Sequence, residues 1–338
     1  MKKWQLWLAA SIGIVVIVAM MVREFDWAAL RLVDLSPGFF LGVAGAALCF
    51  VLQNAMLILR FHHLVHRRIS LQACFRVNAL CEFTSAVTPS AVGGSGLAFI
   101  YLNREGVSMG RSIFTMFAAL MADEAFLGVS CLLLYLLVPS DLLFSLGSGH
   151  DVAAEWISGG VQVIFLGSTL IVAVWALTLY FLLLHRPEAF GWVLKLCCRI
   201  PWLHRFRSKA EKFGQDMTVA SAEARQEGLH FWVRLMGYTA VAWLSRFAIV
   251  LAILFAFRAH GEMLLAWARQ WVIWMIAILT PTPGGSGVAE LMFRIYYSDF
   301  LPDTSLAILA AMLWRMVSYY PYLVMGAVAL PKWIKKED

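Results

Sequence analysis

Seven charged residues stand inside otherwise apolar stretches of this chain: Arg76, Glu82, Asp123, Glu124, Arg246, Glu290 and Arg315. A charge at membrane depth costs about 2.5–3.5 kcal/mol on insertion scales. Each must therefore tie helices together or face a polar cavity that holds a charged group or moves protons. Three are cations and four are anions, so near-complete pairing is open to them. Two glycine clusters accompany them. One runs Thr88-Pro89-Ser90-Ala91-Val92-Gly93-Gly94-Ser95-Gly96 and the other Thr280-Pro281-Thr282-Pro283-Gly284-Gly285-Ser286-Gly287. Each GGSG opens a short apolar segment, whose free backbone N–H groups and positive dipole end suit an anion. Ser95 and Ser286 add hydroxyls, and Arg76, Arg246 and Arg315 lie near in depth. The anion available at a membrane is a lipid phosphate. The competing reading is that the glycines serve only close helix packing.

Other candidate chemistry is weaker. His62 and His66 have i, i+4 metal-ligand spacing but sit in the basic stretch Arg60 to Arg68, and no metal is expected. Asp123-Glu124 resembles a carboxylate pair, yet adjacent helical residues point in different directions. There is no GxSxG, HExxH or Walker loop, and no nucleophile–base pair that supports a catalytic assignment. The six cysteines, Cys49, Cys74, Cys81, Cys131, Cys197 and Cys198, avoid the expected outer loops, so neither a disulfide framework nor a zinc site is expected. No cofactor is implied.

The elements that must position these residues follow from composition. Of 338 residues, 61% are hydrophobic and 14% charged, and mean hydropathy is +0.76. One water-soluble core cannot bury that excess, which excludes a soluble enzyme. Six stretches are long enough to span: Trp4–Val22, Gly38–Leu59, Ser112–Val138, Ser158–Leu184, Val233–Phe257 and Leu306–Leu330. The first lacks a small-residue cleavage site and reads as a retained anchor. With the N-terminus in the cytoplasm, 19 of the 27 Lys and Arg fall on inner segments and five (Arg23, Arg31, Arg258, Arg269 and Arg294) on outer ones. Both termini then face the cytoplasm of a cell (plasma, or inner) membrane. The net charge of +6 reflects this bias and suggests anionic lipid contact, not nucleic acid.

The two GGSG motifs are a repeat signal, since roughly 0.007 are expected by chance in the whole chain. Each is flanked by segments too short to cross, about ten residues in Gln270–Leu279 and in Val288–Tyr297. Helices that end at Pro and restart after such a turn read as re-entrant hairpins. The order span, span, hairpin, span occurs twice with opposite orientation, an inverted-topology repeat. The expected fold is a single all-α polytopic membrane domain over residues 1–338, with six full crossings and two hairpins. Repeat 1 covers about 4–138 and repeat 2 about 158–330. A basic excursion at 186–234 reads as a helix on the inner leaflet or a solvated linker. Glu124 lies 28 residues after Gly96, and Arg315 lies 28 residues after Gly287. Equivalent and opposite in charge, they are expected to line a shared polar interior and to be able to pair directly.

The second glycine segment, continued through Val288-Ala289-Glu290, resembles the TPGGxGxxE signature of the lysylphosphatidylglycerol synthase transmembrane family, also called flippase-like. Trp314-Arg315 with Pro321, Arg60-Phe61, Arg104-Glu105-Gly106-Val107-Ser108 and Asp123-Glu124 are similar to further parts of its pattern. The first glycine segment departs from it, being one residue longer and lacking the Pro before the glycines. The resemblance implies the lipid-translocating domain without the soluble aminoacyl-transfer domain. It implies membrane lipids as partners, anionic or aminoacylated phospholipids, and is compatible with a homo-oligomer. The function expected is a lipid translocase working by alternating access. A membrane enzyme on lipid-linked substrates and a structural or regulatory subunit are the alternatives. The substrate site would comprise the two Thr-Pro/GGSG segments (Thr88, Pro89, Gly93, Gly94, Ser95, Gly96; Thr280, Pro281, Pro283, Gly284, Gly285, Ser286, Gly287) with Glu290, Arg315, Arg246 and Arg76. Glu82, Asp123 and Glu124 would serve coupling or ion pairing.

Overall fold

The computed structural model describes residues 33–88, 95–145, 152–186, 188–189, 192, 196, 207–280 and 282–334. The expected first span, Trp4–Val22, and the centre of the first glycine segment lie outside them. Among the described residues the chain is helical throughout, without a strand. The helices are α1 (Pro37–Leu64), α2 (Leu71–Val87), α3 (Ala98–Arg104), α4 (Met109–Leu137), α5 (Ser140–Phe144) and α6 (Val152–Tyr180, continued by a π turn at Phe181–His185). They continue with α7 (Arg207–Arg225), α8 (Leu229–Ala256), α9 (Met263–Ile278), α10 (Val288–Tyr297), α11 (Leu306–Ser318) and α12 (Tyr320–Ile334). Five stretches are long and apolar enough to cross a membrane: α1, α4, Ser158–His185, α8, and Leu306–Leu330 across α11 and α12. Their outer faces carry large exposed apolar side chains such as Leu41, Leu48, Leu136, Val163 and Leu170. Water would penalise such a surface and lipid does not.

Local signals set the helix starts. Pro37 occupies the first turn of α1, where its missing N–H costs nothing. Ser70 Oγ accepts the Ala73 N–H at 3.2 Å and caps α2. At α10 the Gly287 N–H donates to Glu290 Oε2 at 2.6 Å, so the acid three residues into the helix closes its own N-terminus.

The tightest packing joins α1 to α8. A Cβ on Gly42 would lie 2.6 Å from Ala256 Cβ and 2.7 Å from the Ala252 carbonyl oxygen. At the other end Arg60 Nη1 reaches Thr239 Oγ1 at 3.4 Å, and His63 stacks on Phe231 at 4.5 Å between centroids. Rising numbers on α1 meet falling numbers on α8, so the two run antiparallel, with small residues permitting close approach at one end.

Three expectations about the elements change. The helix before the second glycine turn has 16 residues, not about ten, because α9 starts at Met263. It includes Arg269, which is buried rather than on an outer loop and donates to the carbonyls of Tyr296 (3.0 Å) and Leu142 (2.9 Å) and to Ser145 Oγ (2.9 Å). The last span is broken at Tyr319, whose φ is −125° and ψ −54°. Pro321 follows two residues later and supplies no N–H to continue the ladder. The helix of the basic excursion, α7, is not a solvated linker. It packs on the start of α4, where a Cβ on Gly110 would stand 2.4 Å from the Asp216 carbonyl oxygen, and it buries Met217, Ser221 and Ala224. Trp202 and Phe206 of the excursion, with Cys197 and Cys198, lie outside the described residues.

Candidate functional site: a charged cavity at the helix breaks

Along the α1–α8 pair the apolar packing divides into two clusters, one toward each end. A cavity of about 250 Å³ opens among α1, α2, α4, α8, α9 and the broken last span. Its charged lining consists of Arg60, Arg246 and Arg315 against Glu82, Asp123 and Glu124. The 3.6-residue period accounts for part of this. Gln53, Leu57, Arg60 and Leu64 follow one another at i, i+4, i+7 and i+11 and share the buried face of α1.

Three ion pairs organise the cavity. Arg246 Nη2 donates to Glu82 Oε2 at 2.8 Å, joining α8 to α2, and its guanidinium lies 5.2 and 5.1 Å from the rings of Trp243 and Trp274. Arg60 Nη1 donates to Asp123 Oδ1, joining α1 to α4, and the same oxygen accepts from Trp243 Nε1 at 2.8 Å. Arg315 Nε donates to Glu290 Oε1 at 2.6 Å and Nη1 to the Gly284 carbonyl at 3.1 Å, fastening the second glycine turn to α11. A neutral network continues from the first pair. The Gln53 amide oxygen accepts from Arg246 Nε at 2.8 Å and from the Tyr322 hydroxyl at 2.7 Å. Asn54 Nδ2 donates to that hydroxyl at 3.3 Å, and Asn78 Nδ2 to Asn54 Oδ1 at 2.9 Å. Buried polar groups are thereby linked across four elements.

The glycine turn is built for close approach. Gly284, Gly285 and Gly287 have φ of 57°, 67° and 87°, a region that side chains with a Cβ rarely enter. A Cβ on Gly284 would fall 2.2 Å from the Tyr319 ring. Tyr319 in turn donates its hydroxyl proton to the Ala86 carbonyl at 2.9 Å, at the end of α2 just before the first glycine segment, and it is hydrogen-bonded to Ser286. The break in the last span thus touches the second glycine turn and the approach to the first.

Several donors on residues that line the cavity are buried and have no partner among the described residues: Arg315 Nη2, Arg60 Nε, Trp274 Nε1 and Thr282 Oγ1. Buried donors without acceptors are costly, and an anion could supply the acceptors they lack.

The sequence-derived residues distribute as follows. Glu82, Asp123, Glu124, Arg246, Arg315, Thr280, Gly284 and Gly285 line the cavity. Glu290 stands behind Arg315, and Ser286 beside Tyr319. Gly287 is at the α10 cap. Thr88 closes α2, its Oγ1 donating to the Thr84 carbonyl at 2.7 Å. Ser95 and Gly96 belong to a single 3₁₀ turn before α3, and Pro283 starts the one before α10. Pro89, Gly93, Gly94 and Pro281 lie outside the described residues.

Arg76 is absent from the cavity lining. It makes a two-pronged pair with Glu105, Nε to Oε1 at 2.9 Å and Nη2 to Oε2 at 2.6 Å, at the α3 end of the molecule. Glu124 and Arg315 share the lining but do not pair, because Glu290 lies on the adjoining α10 and takes Arg315. Asp123 and Glu124 both line the cavity despite being neighbours, with only Asp123 reaching a cation. The residues that sequence reasoning missed are Arg60, counted as an inner-loop charge, and the polar residues Gln53, Asn54, Asn78 and Tyr322. The spacing from Gln53 to Arg60 was the available signal for the first.

Five candidate apolar crossings among the described residues, four of them lining an ion-paired cavity, define a polytopic α-helical membrane protein. Its sequence matches the family model for the lysylphosphatidylglycerol synthase TM region over residues 6–326, and the chain belongs to that family. It is also similar to a UPF0104 membrane protein of Archaeoglobus fulgidus, with 26% identity over 274 residues, 78% of this chain and 76% of the relative.

Proposed function

We propose that this chain moves phosphate-containing or aminoacylated lipids between the leaflets of the plasma membrane by alternating access. The observation that carries the reading is the set of buried, unpartnered donors on residues that line the cavity, Arg315 Nη2, Trp274 Nε1 and Thr282 Oγ1, beside a glycine turn at which backbone can approach a ligand. A headgroup phosphate supplies the missing acceptors, and its acyl tails stay in lipid. In this reading the two glycine segments are re-entrant hairpins of an inverted repeat within one membrane domain, with both termini cytoplasmic. The antiparallel α1–α8 contact supports it, since these helices hold the same rank in the two halves. A purely structural subunit has no use for a cavity lined by unsatisfied donors. The finer assignments (the hairpin residues, Arg246 and Arg315 for substrate; Glu82, Asp123 and Glu124 for pairing or coupling) belong to this proposal.

The test is a leaflet-exchange assay in proteoliposomes under a membrane potential and a pH gradient. Wild type is expected to move a labelled anionic phospholipid, and Arg315→Ala to reduce the rate by about tenfold or more, the scale of losing a charge-assisted contact. Lipid that stays in its leaflet with the wild-type protein under all of these conditions excludes transport.

A further inference from the structure

Of the acids that line the cavity or stand directly behind it, all but one hold an arginine. Glu82 has Arg246, Asp123 has Arg60 and Glu290 has Arg315. Glu124 has no ion-pair partner among the described residues, and its Oε2 is buried without a hydrogen bond. Asp123 adjoins it on α4. Facing the same space are Arg60 from α1, Glu82 and Cys81 from α2, Arg246 from α8, Arg315 from α11, and the phenols of Tyr319 and Tyr322 at the break and on α12. The lining contains no histidine. Counting Glu290, the arginines and their three acids compensate one another, so an ionised Glu124 leaves the site one negative charge in excess.

We infer that Glu124 is a proton carrier, which binds a proton as the anionic headgroup enters and releases it when the headgroup leaves. The inference rests on the transport reading and gives it an energy source. An uncompensated carboxylate with a buried oxygen is costly, and a bound proton removes that charge. A phosphate at the Arg315 wall adds a second negative charge to the same cavity, so headgroup and proton favour each other's binding. By linkage the effect is reciprocal. The proton comes from water on the side to which the cavity opens and returns to water on the other. Only the carboxyl O–H bond forms and breaks. The coupling sends lipid with protons, from the acidic to the alkaline side.

The experiment compares wild type with Glu124→Gln, which holds the neutral shape, in vesicles of phosphatidylcholine with labelled phosphatidylglycerol. The readout is the ratio of exchange rates with and without a pH gradient. Wild type is expected to give a ratio of about ten, within the usual range of site–site coupling, and the variant a ratio of about one. Equal ratios in the two proteins, with lipid moving, overturn the proton role and leave transport standing. If neither protein moves lipid, transport fails, and infrared difference spectra on a pH titration decide the protonation of Glu124. A protonated-carboxyl band present in wild type and missing from Glu124→Gln upholds it, and identical spectra overturn it.

Discussion

Arg315 shows how one side chain can be structural and available at once. Two of its guanidinium nitrogens are spent on Glu290 and on the Gly284 carbonyl, and the third is buried without a partner among the described residues. Double-mutant cycles measured by unfolding in detergent are expected to separate these roles. Arg315→Gln with Glu290→Gln should be strongly non-additive, whereas Arg315→Gln with Glu124→Gln should be close to additive, because no contact joins them. The Arg246–Glu82 pair has its own expected outcome. Its partners are 19% and 20% exposed, so removing either one strands a charge in a mostly buried site. Arg246→Met or Glu82→Gln alone should cost about 3 kcal/mol, and the double variant less than the sum. Equal and additive losses would show that the pair carries no coupling.

At the scale of elements, the glycines decide what can touch. Gly42 lets α1 lie against α8, and Gly42→Leu must push Ala252 and Ala256 away. The expected loss is about 1–3 kcal/mol in thermal or denaturant unfolding. Gly284→Val combines a positive φ with a clash on Tyr319 and should displace the turn from the cavity. Its expected signature is loss of lipid exchange while the α-helical circular dichroism is retained. Gly110→Leu tests a different contact. It should separate α7 from α4, read as faster amide hydrogen exchange in α7 with the exchange of α8 unchanged.

For the whole molecule, the cavity sits where broken elements meet: the end of α2, the second glycine turn and the break at Tyr319. Tyr319 and Arg315 join the three through direct contacts, which gives the proposed alternating access a small set of joints. Ser318 lines the cavity beside that break. A Ser318→Cys variant in an otherwise cysteine-free chain should react with membrane-impermeant thiol reagents from both sides of the bilayer during turnover. Modification from a single side under every condition would contradict alternation. Anionic phospholipid should slow the reaction relative to vesicles of phosphatidylcholine alone.

Hydropathy and length were sufficient to read the five candidate crossings among the described residues, because a 20-residue apolar run has few stable settings other than lipid. The second GGSG signature likewise announced a helix break, since its positive-φ glycines act on the backbone locally. Pairing was a different matter. Seven intramembrane charges were visible as costly, but which acid meets which base depends on helix rotation and on neighbours far apart in sequence. Arg315 took Glu290 because α10 folds back beside α11, and Arg76 took Glu105 at the other end of the molecule. Arg60 entered the cavity because its α1 face turns inward against Asp123 and Thr239. The sequence alone determined that charges and breaks must be sheltered from lipid; only the tertiary structure decided that most of these charges share one cavity and that Glu124 stands in it without an ion-pair partner among the described residues.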